Sequence, residues 1–91
     1  HNGAVSATVV LDTVGRLMAN PTVALRGIDD GAAGQETVED LIDLVIEVVE
    51  GMGNAARRDD AVRGAVERAL RREIRQAYGK RPVTDLHLIR I

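Results

Sequence analysis

Ala4-Val5-Ser6-Ala7-Thr8-Val9-Val10-Leu11 alternates with period two and is rich in β-branched residues, the pattern of a strand. Val5, Ala7, Val9 and Leu11 share one face, and Ala4, Ser6, Thr8 and Val10 share the other. Both faces are largely apolar, so the strand is expected to be covered on both sides. Downstream, Asp12-Thr13-Val14-Gly15 has turn chemistry, with Gly15 available for positive φ, and the breaker Asn20-Pro21 follows. A second strand is expected over residues 22–28, with Val23 and Leu25 on one face and Pro21 at its start, where a sheet tolerates proline. The two strands should pair antiparallel.

Helical periodicity takes over after a loop, Asp29-Asp30-Gly31-Ala32-Ala33-Gly34. Thr37 is the better cap for the first helix, with Asp40 at the capping-box offset, and Met52-Gly53-Asn54 closes it. At about 100° per residue, Val38, Leu41, Ile42, Leu44, Val45, Val48, Val49 and Met52 cover one side, and Ile46 widens the apolar zone. That arc is roughly 200° wide, twice what a surface helix needs, so the helix should touch two neighbours, one of them the sheet. A second helix begins at Asp59-Asp60 and stops at Gly79, with Val62, Ala65, Val66, Ala69, Leu70, Ile74 and Ala77 as its apolar stripe. Residues 83–91 form a last strand, Leu86 and Leu88 on one face and His87, Ile89 and Ile91 on the other. The order β-β-α-α-β implies an α+β fold, a two-layer sandwich of a three-stranded sheet covered by two antiparallel helices. Residues 1–91 read as a single domain, with 1–3 a flexible or cloning-derived end.

Composition narrows the function. With 45% apolar residues but one aromatic, Tyr78, the core must be built from Val, Leu, Ile and Ala. A surface that stacks single-stranded bases on aromatic rings is therefore not expected. The absence of Cys excludes disulfides, thiolate zinc sites and a Cys nucleophile. No apolar run approaches the ~20 residues of a membrane span and no signal peptide is visible, so no membrane partner is expected and the protein reads as soluble and intracellular. A chain opening on His1 without Met reads as a piece of a longer polypeptide.

Catalytic patterns are wanting. His87 in a terminal strand reads as half-buried and structural, Asp59-Asp60 as helix-start chemistry, and Gly51-Met52-Gly53 follows a helix, so it is not a dinucleotide loop. Ser6 lies inside a strand with no base nearby in sequence. No catalytic or metal residue and no cofactor is assigned to this chain.

Charge, by contrast, is strongly patterned. Residues 29–50 hold eight acids and no base, whereas residues 57–81 hold nine of the twelve bases and four acids. Arg68, Arg71, Arg72 and Arg75 cluster opposite the apolar stripe of the second helix, a geometry that could contact phosphate. The plainer reading is a solvated face, with Glu67 and Arg71 paired at i, i+4.

Two basic stretches bracket the helices: Arg26-Gly27 at the end of one strand and Lys80-Arg81-Pro82 before another. Together with Asn2 to Asp12, Gly15-Arg16-Leu17 and Pro21-Thr22-Val23, they resemble the carboxyl-terminal domain of ribonuclease J, over essentially the whole chain. Thr84-Asp85-Leu86-His87 is more polar than the family's last strand. The resemblance implies a parent enzyme that uses zinc, held in upstream domains, to process and degrade RNA by 5′-3′ exonuclease and endonuclease action. It also implies an assembly role for this domain, with itself (homodimer or homotetramer) and the parent's catalytic domains as partners.

The interface residues expected for that role are Ile46, Val48, Leu44 and Val10. The alternatives are an RNA-binding accessory module, with Arg68, Arg71, Arg72, Arg75 and Arg81 on phosphate, or a free-standing small α+β ligand-binding protein. Arg26, Gly27, Arg81 and Pro82 are read chiefly as punctuation of the fold: an ion pair of Arg26 with an acid such as Asp29, a sharp strand exit at Gly27, a stop to helix at Pro82.

Overall fold

The computed structural model describes residues 3–28 and 32–91, with the side chains of residues 32–36 outside that description. The elements are β1 (Ala4–Leu11), β2 (Thr22–Arg26), α1 (Ala32–Glu50), a short 3-10 helix (Gly53–Arg57), α2 (Asp59–Tyr78) and β3 (Val83–Arg90). The sheet order is β2-β1-β3, with β1 antiparallel to β2 and parallel to β3. The α+β sandwich with the order β-β-α-α-β is therefore what the chain forms.

The topology follows from where each element delivers the chain. β2 returns to the end of the sheet where β1 starts, since Ala4 pairs with Arg26. β3 also starts there, because Val83 lies opposite Ala4. The connection must leave and return to the same end, which takes a helical hairpin and not a single helix. Its two arms, of 19 and 20 residues, span about 28–30 Å. The eight-residue β1 and β3 span about 26 Å, so the two layers match in length.

The core lies between these layers. Val5, Ala7, Val9 and Leu11 of β1 are buried together with Leu41, Val45 and Val49 of α1, Val62, Val66, Leu70 and Ile74 of α2, and Leu86 of β3. Burying each such aliphatic side chain is worth about 1.5–3 kcal/mol relative to exposure. The wide apolar arc of α1 is used within the chain: Leu41, Val45 and Val49 are fully covered, while Val38, Ile42, Leu44, Val48 and Met52 pack at the core's margin. α1 packs against both α2 and β2, which accounts for the two neighbours its arc demands.

Several expectations are corrected. β1 is covered on one side only, since Ser6 is exposed and Ala4, Thr8 and Val10 are half-buried. Small β-branched residues tolerate either environment, so the apolar character of that face did not require a cover. α1 begins at Ala32, ahead of Thr37, which is inside the helix. Thr37 Oγ1 instead meets the Tyr78 hydroxyl at 2.8 Å, a clasp between the start of α1 and the end of α2. Of the expected loop over 29–34, residues 29–31 lie outside the described residues and 32–34 are helical. Past Glu50 the chain does not simply stop but turns into the 3-10 helix, with Gly53 at φ 60°. Gly3, read as part of a loose end, is buried, and its carbonyl accepts from Val83 N–H at 3.0 Å. Gly79 caps α2 as expected, in the left-handed conformation with its N–H donated to the Arg75 carbonyl.

The β1–β2 turn is fixed by Asp12. Its Oδ1 accepts from the N–H groups of Val14 and Arg16, each at 2.9 Å. These bonds, that to Arg16 foremost, hold the carboxyl below its ordinary value of 3.8. The depressed value means that this stabilisation is complete above the ordinary carboxylate range and is lost as pH falls through the lowered folded value. Replacing Asp12 by Ala is expected to flatten the acid limb of the stability–pH curve, which urea unfolding at a series of pH values would show.

Gly15, at φ 96°, presses against the 3-10 helix so closely that a Cβ would collide with Ala56. Gly53 also has positive φ, but nothing lies within 4 Å of the place its Cβ would take. Gly53→Ala should therefore lose only the conformational term, about 1 kcal/mol, and Gly15→Ala about 2–3 kcal/mol or more. Thermal melts of the two variants side by side measure the difference.

Candidate functional site

Because Val62, Val66, Leu70 and Ile74 turn inward, the positions half a turn away on α2 must face water. Those positions are Arg68, Arg71, Arg72 and Arg75, all exposed. After Gly79 the chain turns back, bringing Arg81 and the buried Pro82 alongside. Together with Gln76 these residues line one open hollow of about 700 Å³. The five arginines read from the sequence as phosphate contacts are thus gathered in a single place. A smaller depression lined by Ala65, Arg68, Ala69 and Arg72 continues around the helix.

The electrostatics of this hollow are one-sided. No carboxylate comes within ion-pairing distance of its guanidiniums among the described residues, where the one salt bridge is Arg90–Asp59. The expected Glu67–Arg71 pair does not form, because Arg71 Nε reaches toward β3 and donates to Thr84 Oγ1 at 3.3 Å. Arg68 folds back over Gly64, where a Cβ would stand 3.0 Å from its Nη1. Arg63, one turn earlier, donates to the Leu86 carbonyl at 2.8 Å and so ties α2 to β3.

The remaining candidates are dispersed. Leu44 and Val48 pack at the core's margin, Ile46 is half-buried on the opposite flank of α1 from Leu44, and Val10 belongs to the uncovered face of the sheet. These four do not form one surface. Arg26 is exposed on β2 and is not part of the arginine hollow, and its pairing with Asp29 falls outside the described residues. Gly27 has φ 68°, and a Cβ placed on it would stand 3.5 Å from the Gly3 Cα, which suits a sharp exit from β2. His87, expected half-buried, is exposed on the uncovered face. Among the described residues no three His, Asp or Glu side chains gather where a metal ion could sit.

Arg90 has no local signature in the chain. Its Nε pairs with Asp59 Oδ1 at 2.9 Å, its Nη1 donates to the Asp12 carbonyl at 2.8 Å and its Nη2 to the Ala56 carbonyl at 2.8 Å. One guanidinium thereby joins the end of β3 to the β1–β2 turn, the 3-10 helix and the first residue of α2. Its three acceptors are 31 to 78 residues away in sequence, so no local pattern announces it.

Comparison with known proteins supplies the family. The model of the ribonuclease J C-terminal domain matches residues 1–91. The chain belongs to the ribonuclease J C-terminal domain family. A protein named ribonuclease J from Sinorhizobium meliloti is 35% identical over 94 residues, covering 98% of this chain and 16% of that protein. The chain thus spans about a sixth of the length of this relative. Ribonuclease J is where the similarity lies, and what this domain contributes must be sought on its own surfaces.

Removal of the Arg90 side chain tests its role. Arg90→Ala should cost about 2–3 kcal/mol, because two backbone carbonyls lose a charged donor, whereas Asp59→Asn should cost under about 1 kcal/mol, Asp59 being largely exposed. Chemical denaturation of both variants ranks the two contributions.

Proposed function

We propose that this domain is the assembly module of a longer, zinc-dependent ribonuclease J, a cytoplasmic enzyme that processes and degrades RNA by 5′-3′ exonuclease and endonuclease action. The observation that carries this reading is the uncovered face of the sheet. On it Met18 is 51% exposed, Ile89 43% and Ile91 67%, and the first two adjoin Val10. Val10 pairs with Ile89 in the β1–β3 ladder, and Met18 N–H donates to the Val10 carbonyl. Adjacent exposed apolar residues of this kind are the usual mark of a partner surface.

The occupant is a second copy of the same domain, because the face is complementary to itself. A twofold axis running along β1 sets Val10 over its own mate and Met18 over Ile89 of the partner subunit. At the other end of the face, Arg26 on β2 and Asp85 on β3 lie on opposite sides of β1, offset by two residues. The same axis brings Arg26 beside Asp85 of the partner subunit. Two sheets stacked in this way, at the usual angle of about 30°, form an isologous interface. Assembly through the sheet also leaves the helical layer on the outside.

Sedimentation velocity tests the reading. The wild-type chain should sediment as a concentration-dependent dimer or higher species, and Ile89→Asp should shift it to monomer without lowering its thermal stability. Asp85→Arg should weaken the dimer, and adding Arg26→Asp should restore it. A wild-type chain that stays monomeric at every accessible concentration removes the assembly role.

A further inference from the structure

The arginine hollow lies on the helical layer, on the side of the domain opposite the uncovered sheet face. We propose that it binds the phosphodiester backbone of single-stranded RNA without reading its sequence. Four of the arginines come from one helix at positions 68, 71, 72 and 75, the i, i+3, i+4, i+7 spacing that keeps them on one side. Arg68 and Arg75 are seven residues apart, about 10 Å along the axis, so the row meets successive phosphates of an extended strand and not a single anion. Arg81 widens the row from the α2–β3 connection, and Pro82 stiffens the wall beside it.

The hollow is built as well as charged. Five guanidiniums line it and repel one another, and no carboxylate comes within ion-pairing distance of them among the described residues. Such mutual repulsion is relieved when a polyanion enters. Arg71 is held to Thr84, and Arg68 occupies space left open by Gly64 in the interior of α2, where glycine costs about 1 kcal/mol relative to alanine. Arginine alone is used, and its planar fork matches phosphate oxygens two at a time.

The helix packed against α2, α1, carries exposed Glu39, Asp40, Asp43, Glu47 and Glu50, which repel an RNA strand and confine it to α2. The single aromatic ring, Tyr78, is tied by its hydroxyl to Thr37, so base stacking adds little and the binding is electrostatic. RNA as the polyanion rests on the ribonuclease reading above. The hollow itself does not depend on the sheet-mediated dimer.

The test is a fluorescence anisotropy titration of a labelled oligouridylate with the wild-type chain and with Ile89→Asp, so that assembly and RNA binding are read apart. Binding is expected at low salt in both, weakening with salt at a log–log slope no steeper than about −3.5 for five contacts. Arg68→Glu/Arg72→Glu should weaken it more than tenfold while the melting temperature holds, and Arg68→Lys/Arg72→Lys should retain most of it. No response at low salt, or no effect of the double charge reversal, overturns the proposal. It is equally overturned if Arg68→Glu/Arg72→Glu abolishes a salt-sensitive self-association that Glu47→Arg in that variant restores. In that case the hollow holds the acidic side of α1 from a second copy.

Discussion

β1 is hydrogen-bonded along both edges, and its buried side, Val5, Ala7, Val9 and Leu11, is the floor on which both helices rest. Taking part in two ladders means that neither edge of β1 is free to slip, and a slip by one residue in either would exchange the buried and exposed sides. With β1 fixed, parity does the rest. A strand pairing antiparallel on one edge returns the chain to the starting end, and only an even number of helices can then deliver a third strand parallel to β1 on the other edge. The helical hairpin is thus a consequence of the strand pairing as much as of its own helix propensity.

Sequence patterning exposed most of this. The period-two run of β1, the acids at the start of α2 and the glycine at its end have local causes, and the elements lie where those causes put them. The family resemblance, carried by short stretches around the helices, agrees with the matched family over the full chain. Sheet order was not legible, because β3 beside β1 and β3 beside β2 satisfy the same order of elements and the same apolar pattern. The start of α1 is not legible, because Thr37 has capping chemistry while Ala32 and Ala33 upstream extend the helix past it. The hydroxyl then serves a tertiary contact with Tyr78 that no spacing rule encodes.

The candidate surfaces divide in the same way. The arginines of α2 were legible because helical spacing alone places them together; Arg81 joined them for a tertiary reason, the return of the chain after Gly79. The expected interface failed to gather because Leu44 and Ile46 lie on opposite flanks of one helix while Val10 belongs to the other layer. Arg90 joins four segments, and a residue whose partners are all remote leaves no local trace. The two proposed surfaces lie back to back, one apolar on the sheet and one basic on the helices, with the core between them.

Tyr78 gives this domain an optical property of its own. It is the sole aromatic side chain in the chain, and its hydroxyl touches Thr37 where the two arms of the helical hairpin meet. Near-ultraviolet absorption and emission therefore come from one ring at one joint. Parting of α1 from α2 alters the surroundings of that ring, so its signal follows the joint without a label and without interference from another chromophore.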